Sequence, residues 1–328
     1  MAPHESTAVT TGHEVPRISV IVPTYNEAKN LPHVFGLLPD DLHEVIVVDG
    51  HSVDGTVETA LTLRPDVRIV RQNRRGKGNA LACGFAAATG DVIVMLDADG
   101  SADPREIARY VAALTDGADF AKGTRFSNGG GSADITTTRA WGNRWLNRAV
   151  NVLFGTHYSD LCYGYNAFWA HCLPVLALDA SDMGTASKLW GDGFEIETII
   201  NTRVAKAGLA IAEVPSFEFE RIHGESNLNT WRDGLRVLRA LLVERWNGIG
   251  RGAEVDRSRA RELQEAAAAD GRLGLKGFAP QLDAEPNIVQ TTLMQGNTVE
   301  RDTTTGNTVA DLIPTSRNQL ATRHGDVA

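Results

Sequence analysis

The sequence has no excess of basic residues. Its 32 lysines and arginines are outnumbered by 41 aspartates and glutamates, for a formal net charge of −9. That argues against a bulk nucleic-acid binder, which carries a basic footprint. Cysteine is scarce: Cys83, Cys162 and Cys172 are the 3 present. Their spacing fits no metal module, and an odd number without a signal peptide points to core packing in a reducing cytosol. No apolar run approaches the roughly 20 residues of a spanning helix, so any membrane contact is expected to be peripheral. The first 15 residues are polar and lack the apolar segment of a secretory signal. No internal repeat is present. What remains is an ordinary globular composition, 42% hydrophobic and 22% charged in 328 residues.

Unbroken apolar runs punctuate the first half of the chain. Residues 18–22, 43–48, 67–71 and 92–96 read as strands buried on both faces, as in a parallel sheet. Helical patterns separate them: 30–38, a segment opening after Asp54, the Ala-rich 77–89, and one starting near Pro104. Strands alternating with helices imply βαβ units and a mostly parallel α/β sheet. Further on, 118–122, 165–169 and 210–215 read as strands, and 139–154, 194–206 and 231–246 as helices, with a Gly- and Ser-rich loop at 127–134. The expected organisation is a disordered leader over 1–16, one working domain over 17–248, and a C-terminal tail over 249–328. The tail is expected to be partly helical, then largely disordered.

Chemistry concentrates at the ends of the strands, where ligands bind in open α/β sheets. The 92–96 strand stops at Asp97-Ala98-Asp99-Gly100. Two carboxylates at that edge suit a hard cation, because Mg²⁺ and Mn²⁺ take one or two carboxylates together with substrate phosphate oxygens. The other ends carry Pro23-Thr24-Tyr25-Asn26-Glu27, Asp49 through Thr56, and Arg74-Arg75-Gly76-Lys77-Gly78-Asn79.

Together these segments resemble the inverting glycosyltransferases of family 2. Gly123-Thr124-Arg125-Phe126, the segment from Asp160 to Phe168, and Arg221 through Leu228 narrow the resemblance to the dolichol- or polyprenyl-phosphate mannosyltransferase branch. The resemblance implies a GT-A fold, a mostly parallel sheet flanked by helices in a single domain. It assigns Asp99 as principal metal ligand, with Asp97 supporting it or meeting the ribose, and Ser101 where relatives often have glutamine. Pro23, Tyr25, Glu27, Asp49, Lys77, Asp97, Ala98 and Asp99 are the expected nucleotide-sugar residues. In this reading Tyr25 stacks on the base, Glu27 accepts from ribose or base, Asp49 meets the base, and Lys77 faces phosphate at a helix start. Arg125, Arg139, Asn143, Arg221 and Ser226 are the expected acceptor-phosphate residues, because arginine forks match phosphate geometry. Asp99, Arg125 and Arg221 are the expected catalytic group. Gly50 and Asn227 depart from the pattern, where relatives often carry a second acid and a lysine.

The implied reaction moves mannose from GDP-mannose, or glucose from UDP-glucose, to a polyprenyl phosphate with Mg²⁺ or Mn²⁺ as cofactor. Such an acceptor has a second pKa near 6 and is largely dianionic at pH 7, so no protein base is required. Asp160, Asp192, Glu195 and Glu197 are the candidates if the acceptor is instead a sugar hydroxyl of a polysaccharide or soluble molecule. A nucleotide-sugar-binding protein without turnover is the non-enzyme alternative. Trp231, Leu235, Leu238, Leu242 and Trp246 recur at helical spacing beside Arg232, Arg236 and Arg239. That pattern fits either an interfacial membrane helix or a helix packed on the domain. The expected location is cytoplasmic, at the cytoplasmic face of the membrane.

Overall fold

In chain order the elements are β1 (Ile18–Thr24), α1 (Leu31–Phe35), β2 (Glu44–Asp49), α2 (Thr56–Leu63), β3 (Arg68–Arg71), α3 (Lys77–Ala87), β4 (Val92–Met95), α4 (Ile107–Thr115) and β5 (Phe120–Thr124). They continue with β6 (Gly131–Ser132), α5 (Thr137–Phe154), β7 (Asn166–Trp169), α6 (Leu173–Leu176), α7 (Ile196–Lys206), β8 (Ile211–Pro215), β9 (Phe217–Glu218), α8 (Thr230–Trp246) and α9 (Ser258–Asp270). The structure is a computed structural model that describes residues 15–133, 135–181, 188–224 and 230–270. Ser226, Asn227, residues 1–14 and residues 271–328 lie outside the described residues.

Seven strands form the main sheet in the order β3-β2-β1-β4-β7-β5-β8. Every pairing is parallel except those of β7, which runs antiparallel to β4 and β5. The apolar runs explain this arrangement. Val20, Val22, Val45, Val47, Val92 and Val94 face one core layer, which also holds Leu31, Ile107, Tyr110 and Leu114 from α1 and α4. Ile21, Ile46, Val48, Ile93 and Met95 face the other, with Leu81 and Phe85 of α3 and Ile196 and Ile200 of α7. Successive residues of one strand thus feed opposite layers, which is why the runs show no polar alternation. A third small core, Val150, Tyr158, Leu161, Val237 and Leu241, joins α5 to α8.

The body does not stop at Gly248, the expected domain edge. Ala260 and Leu263 of α9 are buried in the first core layer. Gln264 donates to the Leu114 carbonyl at 2.8 Å, and Arg257 pairs with Asp119 at 2.9 Å. The sequence sign of this contact is a run of small apolar residues in a charged segment, and scattered apolar residues are also normal on solvated surfaces.

Because β1, β2, β4, β5 and β8 are parallel, their carboxyl ends share one edge of the sheet. β7 starts at that edge, so the 160–165 segment lies there too. The topology therefore gathers all the singled-out motifs within the described residues on one rim.

Candidate functional site

The loops after β1 and β2 clasp one another. Asn26, with a left-handed φ of 57°, accepts from the Val53 amide at 2.9 Å and donates its own amide to Ser52 Oγ at 2.9 Å. Tyr25 is left 64% exposed, so its ring is free to stack. Asp49 is buried and accepts from the His51 and Ser52 amides at 3.1 and 3.2 Å, so its first duty is to hold this turn. Gly50 permits a close approach: its amide donates to the Thr24 carbonyl at 2.8 Å, and a Cβ there would stand 3.1 Å from that oxygen.

The α3 start differs from the expected phosphate cradle. The Gly78 amide donates to the Asp192 carbonyl at 3.0 Å. A Cβ on Gly76 would meet Asp192 O at 1.9 Å, and one on Gly78 would meet Gly191 O at 1.7 Å. These glycines exist so that another backbone segment can pack on the helix terminus. Arg74 locks that segment in place, with Nε 2.9 Å from Asp192 Oδ2 and both partners nearly fully buried. Lys77 is largely shielded from water and paired with two carboxylates. Its ammonium sits 2.8 Å from Asp97 Oδ1 and 2.7 Å from Glu197 Oε1. Burial disfavours its charge, but the two carboxylates outweigh that and hold it protonated above its ordinary range. Gly164 closes over this trio, since a Cβ there would lie 3.1 Å from Lys77 Nζ and 3.4 Å from Asp97 Oδ2.

Asp99 is oriented by Ser101, whose amide and hydroxyl donate to Oδ1 at 3.0 and 2.7 Å. Ser101 thus positions Asp99. The other oxygen, Oδ2, lies 2.9 Å from Arg221 Nη2, and Arg221 Nη1 lies 3.2 Å from Glu27 Oε1. One guanidinium therefore bridges the β1 loop and the β4 loop. Its segment is held by backbone bonds from Ile222 to Asp99 O at 3.2 Å and from Phe219 to Ser101 O at 2.8 Å. Burial raises the Glu27 carboxyl above its ordinary range, and the Arg221 pair only partly counters it. The donor set fits a hard divalent cation: oxygen ligands at a strand end, with a positive group already seated against Asp99. Among the described residues no three His, Cys, Asp or Glu side chains cluster as a metal cage, so two carboxylates would act together with oxygens from a ligand.

Arg125 is tied to two carboxylates. It forms a fork with Asp160, at 2.6 Å to Oδ2 and 2.9 Å to Oδ1, and reaches Glu218 at 2.9 Å. Its guanidinium also lies 5.0 Å from the centre of the Tyr163 ring. Asn143 joins the same group, donating to Asp160 at 3.1 Å. Arg125 and Asn143 therefore come together, but around a buried carboxylate. Arg139 lies in the first turn of α5, its amide donating to the N-cap Thr136 Oγ1 at 3.3 Å. Of the expected acceptor group, Ser226 lies outside the described residues.

Two members of this region went unnoticed in the sequence. Glu218 sits in a two-residue strand with no motif around it. Lys122 is fully buried and donates to the carbonyls of Gly123 and Tyr163 at 2.8 and 2.7 Å. Burial pushes its ammonium down to about 8.

Comparison with known proteins agrees with this arrangement. The family model described as glycosyl transferase family 2 matches residues 19–171. The chain is 34% identical over 248 residues to undecaprenyl-phosphate mannosyltransferase of Micrococcus luteus, covering 71% of this chain and 97% of that one. It is 32% identical over 254 residues to polyprenol monophosphomannose synthase of Mycolicibacterium smegmatis, covering 74% and 90%. Among solved structures it is similar to glucosyl-3-phosphoglycerate synthase from Mycobacterium tuberculosis, crystallised with Mn²⁺, UDP and glucosyl-3-phosphoglycerate. That match has a TM-score of 0.52 and 23% identity, covering 73% of this chain and 82% of that one. This likeness bears out the expected GT-A fold.

Proposed function

Since this chain belongs to glycosyltransferase family 2, we propose that it moves a hexose from a nucleotide-diphosphate sugar to a polyprenyl phosphate, with inversion at the anomeric carbon. GDP-mannose is the first donor to test and UDP-glucose the second. The names of the relatives support the acceptor class, but one observation of this structure carries the reading. Of the four candidate carboxylate bases, three are committed to cations: Asp160 to Arg125, Asp192 to Arg74, and Glu197 to Lys77. Burial alone would raise the Asp160 carboxyl, yet Arg125 holds it below its ordinary range, which makes it a weak base. An acceptor that arrives already anionic needs none of them.

The remaining work is binding and charge stabilisation. Tyr25 offers a stacking face for the base, and Asp49 and Glu27 line the nucleotide side. Asp99, supported by Asp97 and Ser101, would hold Mg²⁺ or Mn²⁺, which when bound neutralises charge on the departing diphosphate. Arg221 is the cation on this rim best placed to exchange its carboxylate partners for a phosphate, because it lies between Glu27 and Asp99. Lys77 holds Asp97 in place beside Asp99.

The test is a transfer assay with purified full chain, Mg²⁺ or Mn²⁺, a panel of labelled nucleotide sugars and a short polyprenyl phosphate. Label in the organic phase with one donor is the expected result; label only in water-soluble glycan would overturn the acceptor assignment. One observation favours keeping that second outcome in view. Glu195 is half-buried at the start of α7, its carboxylate folded over Gly193, with no side-chain partner among the described residues. Glu195→Gln should leave transfer to a lipid phosphate nearly unchanged, whereas a hydroxyl acceptor would lose roughly 10²-fold or more.

A further inference from the structure

Gln72 follows Arg71, the last residue of β3, which lies opposite Asp49 in the register with β2. Its backbone is committed to the β2 loop. The Gln72 amide donates to the Asp49 carbonyl at 3.1 Å, and its carbonyl meets His51 Nε2 at 3.1 Å. The residue is 8% exposed, yet its carboxamide makes no hydrogen bond with any described residue. The carboxamides a few places on behave otherwise. Asn73 donates to the Ala180 carbonyl at 2.6 Å and accepts from Asn79 at 2.8 Å, and Asn79 accepts from the Arg74 amide at 2.8 Å. Those two hold the loop together; Gln72 does not. Neither amide atom of Gln72 is sealed from solvent. An otherwise buried side chain thus turns a donor and an acceptor outward. Buried residues rarely leave such groups unpaired without a reason.

Gly50 shows what the carboxamide faces. A Cβ at that position would stand 3.4 Å from Gln72 Oε1 and 3.4 Å from Tyr25 Cδ2. The backbone of Gly50 is not in the left-handed region, so its lack of a side chain answers to space and not to backbone angle. Three groups of different chemistry therefore meet at the ends of β1, β2 and β3. They are the exposed Tyr25 ring, the acceptor-only carboxylate of Asp49, and the unpaired carboxamide. A flat ring with hydrogen-bonding edges is the ligand class that uses all three: its face stacks on the aromatic ring, and a carboxamide forms two hydrogen bonds with a base edge that sets a donor beside an acceptor.

We infer that Gln72 selects the base of the nucleotide donor, its carboxamide pairing with an edge on which an N–H adjoins a carbonyl while the base lies against Tyr25. Uracil and guanine carry such an edge. Cytosine and adenine carry an amino group beside a ring nitrogen, and the lone pair of that nitrogen would set acceptor against acceptor at Asp49. With glycine at position 50, no side chain stands between Gln72 and the base. The inference deepens the proposed function and rests on it for the class of ligand.

The experiment is titration calorimetry of the full chain with Mn²⁺ and, in turn, UDP, GDP, CDP, ADP and inorganic pyrophosphate. The parent should bind UDP or GDP about tenfold or more tighter than CDP and ADP; which of the two leads identifies the donor's base. Gln72→Met keeps the length and removes both hydrogen bonds. It should weaken the preferred nucleotide about tenfold or more, leave pyrophosphate binding at the parental level, and so erase the preference. In the transfer assay the loss should fall on the donor KM more than on kcat. Gln72→Glu keeps the shape but cannot donate, and it should lose the same preference. Because the side chain ties down no other described element, both variants should melt like the parent. Undiminished preference in either folded variant would overturn the role of Gln72 and leave the proposed function standing. A parent that binds all four nucleotides equally would do the same. A parent that binds none of them, and transfers no sugar, would overturn the proposed function and this inference with it.

Discussion

Asp160 should be worth more to the fold than any other carboxylate on the rim. It is fully buried and receives four hydrogen bonds: from the Arg125 amide at 3.2 Å, Arg125 Nε at 2.6 Å, Arg125 Nη2 at 2.9 Å, and Asn143 at 3.1 Å. Asp160→Asn keeps the shape but puts an amide N–H where an acceptor is needed, and leaves Arg125 with Glu218 as its one anionic partner. Breaking a buried ion pair typically costs about 3–5 kcal/mol. The surviving Glu218 contact places the expected loss near the low end, about 3 kcal/mol. In a chain of this size that corresponds to a melting point lowered by about 6–12 °C. Thermal unfolding followed by circular dichroism measures it. Combining Asp160→Asn with Arg125→Met should recover part of the loss, because the stranded charge is then removed as well. Glu218→Gln alone should cost less, since that carboxylate sits nearer solvent. An Asp160→Asn variant melting within about 2 °C of the parent would refute the buried-pair argument and return Arg125 to the acceptor-phosphate role expected from its motif.

Glycine substitutions should split sharply by location. Gly78→Ala drives a Cβ to 1.7 Å from the Gly191 carbonyl and should prevent normal folding, whereas Gly142→Ala, with nothing within 4 Å on α5, should stabilise by about 0.5–1 kcal/mol; paired melting curves decide. Acid should unfold the protein along a predictable limb. Burial pushes the Asp119 and Asp160 carboxyls up, but His171 and Arg257 at the first and Arg125 at the second more than reverse it, so both are depressed below 3.8. A depressed carboxyl binds its proton more readily when unfolded. The stability it adds is therefore complete above pH 3.8 and is lost as pH falls below that value towards the folded pKa; denaturant midpoints across pH 2–6 should decline only at the acid end. Asp99→Asn should reduce metal-dependent turnover by about 10²-fold or more and weaken Mn²⁺ binding measured by titration calorimetry. Near-parental binding and turnover would reject Asp99 as the metal ligand.

How much was legible varied with the range of the interaction. The strands were readable because burial on both faces leaves an unbroken apolar run, and the family because several ordered motifs fall at strand ends. The antiparallel direction of β7 was not readable, since an apolar run carries no direction. The glycines of the α3 start illustrate a deeper ambiguity. A flexible turn before a helix can cradle a phosphate or admit a second backbone, and only the position of Gly191 and Asp192 separates the two. The same holds for Arg125 and Lys77: a cation in a motif looks the same whether it meets a ligand or a carboxylate 35 or 120 residues away.

The sequence by itself determined which residues line the rim, because the hydrophobic effect sets strands, helices and their polarity from local pattern. It also determined that α8 is two-faced. Only the tertiary structure decided which face is inside, because that depends on what α5 and α7 present to it. It likewise decided which carboxylate each buried cation meets, because a charge withdrawn from water must be paired wherever the chain brings a partner.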